Sequence, residues 1–149
     1  MTERIGEGGY FNRALYAAHL ESVGTRLAPT PLLGDHFSVL LVADAVVDLD
    51  GYGRLLALLG ERGASWFACW GPGAARAPEI VYSREFQSSW HITCTWWERD
   101  LSEAIQAFLW SSAPDESTHD ECRSGLVLSV GELVEPGELR SLVLEELSA

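Results

Sequence analysis

Continuous apolar runs and apolar stripes at helical spacing alternate along this chain. The runs are residues 37–43 (FSVLLVA), 65–70 (SWFACW), 91–97 (HITCTWW) and 126–130 (LVLSV). Short runs of this kind are expected of strands covered on both faces. Between them lie the stripes. Residues 52–62 are leucine-rich and stop at Gly63. Asp100-Leu-Ser-Glu103 reads as a capping box, in which Asp100 accepts from a free backbone N–H and Glu103 reaches back. Leu101, Ala104, Ile105 and Phe108 then recur at spacings of three and four. Pro136 opens a last helix, with Leu139, Leu142, Val143 and Leu147 facing inward. Near the start, residues 10–22 place Phe11, Leu15 and Ala18 on one stripe beside Tyr10, Ala14 and Ala17, which predicts an amphipathic helix.

Strands separated by helix-length segments predict βαβ units with right-handed crossovers. The expected fold is a three-layer α/β domain. Its small, mostly parallel, doubly wound sheet has about four strands, with helices on both faces and the 10–22 helix packed on it. Residues 1–149 form one domain in this reading. Counting the four runs in chain order, the expected strand order is 2-1-3-4.

Composition agrees with a globular chain: hydrophobic residues make up 47% and charged residues 21%. No apolar run approaches the roughly 20 residues that span a bilayer. Residues 1–9 are polar and lack the basic start and apolar stretch of a secretory leader, so a cytoplasmic location is expected. Three cysteines at wide spacing fit neither a disulfide framework nor a zinc ribbon. All ten basic residues are arginine, which excludes a Walker A lysine, a Schiff-base lysine and a kinase lysine.

Charge changes the picture more. The net charge is −12, and residues 111–149 hold nine acidic groups against Arg123 and Arg140. Such a surface repels phosphate backbones and anionic lipid, so no direct nucleic-acid or membrane binding is expected. It suits a basic protein partner, with plain solubility as the simpler alternative.

The segments ACWGPG (68–73), TCTWWERDLSEAIQAFLWSSAPDE (93–116) and LVLSVGE (126–132), with a first strand that ends at Asp44, resemble a family of small uncharacterised bacterial α/β domains. The resemblance covers roughly residues 37–132. It implies the fold and a bacterial origin, and no activity.

Open α/β sheets bind ligands at the carboxyl ends of their strands. Here those ends carry Asp44, Trp70-Gly71, Trp97-Glu98 and Gly131-Glu132. Asp44 is either an acid–base group or the cap of the next turn. Asp48-Leu-Asp50-Gly51 resembles the DxDG loop of haloacid-dehalogenase-type phosphohydrolases. That resemblance implies Asp48 as nucleophile on phosphorus, Asp50 as acid and base, and magnesium offsetting the charge. Against it, there is no lysine, no late acidic pair, and the apolar run ends at Asp44, before Asp48. An acidic turn is the simpler reading. Cys69 and Arg76 have six residues between them where a phosphatase loop needs five. His91 and Cys94, three apart on a strand, face opposite ways, so no metal site is expected.

Six tryptophans cluster around the second and third strands and the helix after them. Neighbours Trp96 and Trp97 must face opposite sides of a flat strand. The favoured reading is a non-enzymatic protein-binding domain, such as a bacterial immunity or defence-accessory protein. It would dock a basic partner through Trp97, Glu98, Asp115, Glu116, Asp120 and Glu121, with no cofactor. The alternatives are a small-molecule-binding or phosphate-chemistry enzyme using Asp44, Asp48 and Asp50, and a structural subunit of a larger assembly.

Overall fold

The computed structural model describes residues 2–9, 13–25, 36–83, 92–110 and 122–148. The chain runs β1 (Glu3–Gly8), β2 (Arg13–Leu20), β3 (His36–Val42), α1 (Leu49–Glu61), β4 (Ala64–Trp70), a 3₁₀ turn (Ala74–Arg76), α2 (Ala77–Val81), β5 (Thr93–Trp97), α3 (Leu101–Trp110), β6 (Cys122–Val130) and α4 (Pro136–Ser148). The architecture is mixed α/β. One six-stranded sheet has the order β1-β2-β6-β3-β4-β5. Only β1 is antiparallel to its neighbour; the other pairings are parallel.

Alternate strand residues feed two apolar clusters. Val39, Leu41, Phe67, Cys69, Leu126 and Leu128 join Tyr52, Leu55, Leu56 and Leu59 of α1 and Ala77 and Val81 of α2. Leu15, Leu40, Val42, Trp66, Ala68 and Val127 join Ala104, Ile105, Phe108 and Leu109 of α3 and Leu139 and Val143 of α4. Burial on both sides is why the runs in β3, β4 and β6 read as continuous rather than alternating.

The four runs seen in the sequence are strands, and two more precede them. The helix expected over 10–22 is instead β2, an interior strand between β1 and β6; residues 10–12 lie outside the described set. Ala14, Tyr16, Ala18 and Leu20 fill one cluster while Leu15 fills the other. A segment apolar on both faces satisfies a 3.6-residue stripe and a buried strand equally, so periodicity alone picked the wrong one. The expected order 2-1-3-4 is also overturned. The same four strands lie in the order β6-β3-β4-β5, which is 4-1-2-3 in that numbering. Their exposure accounts for it. Ser124 to Val130 are all buried, as an interior strand requires, whereas Thr93, Thr95 and Trp97 of β5 are half-buried and Trp96 is exposed, as at an edge.

No helix among the described residues is long and apolar enough to cross a membrane.

Candidate functional site

Each parallel strand delivers its carboxyl end to one edge of the sheet, and local hydrogen bonds shape that edge. Beyond β3, Ala43 N–H donates to Trp70 O (3.1 Å) and Ala45 N–H to Pro72 O (2.9 Å), so the turn is tied to the end of β4. Asp44 Oδ1 accepts from the N–H groups of Val46 (2.8 Å) and Val47 (3.3 Å). This is an Asx turn, which aspartate favours because its short carboxylate reaches the backbone two residues on. Asp48 is the N-cap of α1 and accepts from Gly51 N–H (2.9 Å). Gly51 leaves room for this cap, since a β-carbon there would strike the Asp48 carboxylate and come 2.8 Å from Val23 Cγ2, so those side chains would have to shift. Beyond β6, Gly131 takes φ of 72° and donates its N–H to Leu20 O (2.8 Å), tying that turn to the end of β2.

Between these turns lies a cleft of about 510 Å³ at the carboxyl ends of β2, β6 and β3. Val23, Val47 and Leu133 give it apolar walls, and Glu21, Asp44, Asp48 and Glu132 give it four carboxylates. Among the described residues, no basic side chain lines it. Asp44 and Asp48 each commit Oδ1 to the backbone. The outer turn is unusually apolar: Val46 is 71% and Val47 82% exposed.

The sequence-derived candidates therefore separate. Asp44 and Asp48 line this cleft together. Asp50 instead lines a groove between α1 and α2 with Arg54, Arg76 and Glu79. Trp97 is half-buried against the α3–α4 cluster, and Glu98 beside it is exposed. Asp115, Glu116, Asp120 and Glu121 lie outside the described residues. Trp96 and Trp110 are the tryptophans exposed among the described residues, while Trp66 is buried.

The cysteine candidates are core. Cys69 is fully buried, and Arg76 is paired with Glu79 (3.1 Å) on the surface. Cys94 is buried too, and its thiol pKa is pushed far up by a hydrogen bond with Cys69 and then by burial. Burial first, and then Cys69, does the same to the Tyr52 hydroxyl. These groups stay protonated at neutral pH, so Cys94 is a packing residue rather than a nucleophile. Among the described residues, no group of three or more His, Cys, Asp or Glu is placed to hold a metal ion.

One contact was not legible in the sequence. His19 Nδ1 lies 2.8 Å from Ser129 Oγ, across 110 positions, because β2 and β6 are neighbours in register. Both line a smaller cleft of about 150 Å³ with Glu3 and Arg140, which are themselves an ion pair. Glu135 caps α4 by accepting from Gly137 and Glu138 N–H (both 2.9 Å). Those two bonds, and then the nearby His19, hold its carboxyl below the usual range. Only the pairing of the two strands reveals this pair, and the sequence assigned β2 to a helix.

No protein-family model, no curated protein and no solved structure matches this chain.

Proposed function

We propose that this domain is a non-enzymatic protein-binding module that takes a basic segment of a partner into the cleft at the carboxyl ends of β2, β6 and β3. The observation that carries the reading is the cleft's composition: four carboxylates around apolar walls, with no cation among the described residues that line it. The position supports it as well. From β3 the chain proceeds to β4 and β5 on one side and returns to β6 on the other. Taking the two apolar clusters as the two faces of a three-layer, doubly wound sheet makes the gap between β3 and β6 its switch point, where such folds bind ligands. A net charge of −12 extends the attraction for a cation beyond contact distance.

A second reading, a small-molecule or phosphate-chemistry enzyme using Asp44, Asp48 and Asp50, draws on the same position. The geometry favours it less. Asp44 and Asp48 serve as a turn former and a cap, and Asp50 lines a different groove. Four carboxylates would also repel a phosphate unless cations intervened.

The test is neutralisation in two sets, read on a basic partner isolated from the native cell. Glu21→Gln, Asp44→Asn, Asp48→Asn and Glu132→Gln together remove the cleft's charge. Asparagine caps helices and forms Asx turns about as well as aspartate, so the backbone is retained. This set is expected to slow association about tenfold or more and to flatten its salt dependence, while the off-rate changes less. Neutralising Asp115, Glu116, Asp120 and Glu121 instead reports on the other acidic segment. An on-rate untouched by the cleft set overturns the cleft reading. Magnesium-dependent phosphomonoester hydrolysis abolished by Asp48→Asn promotes the enzyme reading.

A further inference from the structure

We propose that the Val46–Val47 turn is the apolar anchor of the same docking site, so that the ligand recognised is a peptide segment with an arginine or lysine directly beside a bulky apolar residue. The inference rests on the cleft reading and adds a second contact point to it.

Val46 and Val47 are the two most exposed large apolar side chains among the described residues, at 71% and 82%. Leu133, which lines the cleft with Val47, is 38% exposed as well. The turn is also held in place. Asp44 Oδ1 accepts both valine N–H groups, Ala45 N–H is tied to Pro72 O, and the Gly73 α-carbon packs against Ala45 and Val46 with no room for a side chain: a β-carbon there would sit 2.8 Å from Val46 Cγ2. An apolar patch presented on a fixed turn loses little entropy when it is covered. Val47 belongs to both features, since it lines the cleft and stands on the exposed turn. A cation held among Glu21, Asp44, Asp48 and Glu132 therefore places its neighbouring residue over the valines.

Charge complementarity selects the occupant. A second copy docking symmetrically through this face would bring the same four carboxylates against its own. Anionic lipid and nucleic acid are repelled by the same rim. A basic–apolar peptide satisfies both parts of the surface.

The experiment pans a random-peptide phage library against the full chain and measures binding kinetics of the selected peptides, made synthetically. The expected consensus is Arg or Lys adjacent to Leu, Ile, Phe or Met. Val46→Ser with Val47→Ser replaces two exposed side chains and no buried one, and thermal melting verifies that the variant folds. It is expected to speed dissociation about tenfold or more and to leave the salt dependence of association intact. The four-residue cleft neutralisation is expected to do the reverse. Wild-type off-rates in the valine variant, with slowed association in the cleft variant, overturn the anchor and leave the cleft. Wild-type kinetics in both overturn the two together. A consensus without a basic residue, or binding abolished by self-association through the valines, overturns the assigned ligand.

Discussion

Truncating Phe108 to alanine is expected to lower the stability of the domain by about 3–5 kcal/mol. Phe108 is 1% exposed and belongs to the cluster between the sheet and helices α3 and α4. Its ring fits over Gly125 of β6, where a β-carbon would come 2.9 Å from Phe108 Cζ and 2.9 Å from Leu15 Cδ2. Ring, leucine and bare backbone thus fit one another, and little nearby can move in to fill the vacated space. Urea denaturation should show a lower midpoint with an unchanged slope. Gln106→Ala, on the exposed side of the same helix, should stay within about 0.5 kcal/mol. A Phe108 loss as small as that of Gln106 would mean that α3 does not pack as described.

Gly71→Ala is expected to cost about 3 kcal/mol and to weaken ligand binding as well. Gly71 has φ of 136°, a conformation L-residues rarely adopt. A β-carbon there would strike the Ala43 carbonyl and lie 3.4 Å from Leu133 Cδ1. Ala43 leads into Asp44, and Leu133 forms a wall of the cleft, so relief of the clash must displace the site. Gly24→Ala, whose β-carbon would meet only Ser22 Oγ, at 3.8 Å, among the described residues, is the matched control and should be nearly neutral. Equal melting temperatures for the two variants would contradict the close approach of Gly71, beyond β4, to Ala43, beyond β3.

How much of this was legible follows from which signals are local. The continuous runs at 37–43, 65–70 and 126–130 identified β3, β4 and β6, because burial on both faces leaves no polar position to confuse the period. Asp100 showed the start of α3, where Glu103 N–H donates to its carboxylate at 3.0 Å. Asp44 as a turn former was likewise readable, since an Asx turn involves its immediate neighbours. Strand order was not readable. It depends on which strand lies next to β3, and nothing in residues 126–130 states that β6 inserts between β2 and β3. The misassigned β2 removed the third wall of the cleft from view, and with it Glu21 and Val23. The DxDG pattern placed Asp48 and Asp50 together by spacing, yet one caps α1 while the other lies within its first turn, so they serve different grooves. The acidity of the chain was visible from composition, but the meeting of four carboxylates from three separate turns was not.

Amide chemical-shift mapping locates the docking site residue by residue. The full chain is labelled with ¹⁵N and titrated with a short synthetic peptide in which an arginine is flanked by leucines. The largest shifts are expected on residues 21–23, 44–48 and 131–133; they should shrink as salt shortens the Debye length toward about 8 Å and below, and a glutamate-for-arginine peptide should leave them unmoved. Shifts that fall instead around Trp96 and Trp110, or the same shifts with the glutamate peptide, would contradict it.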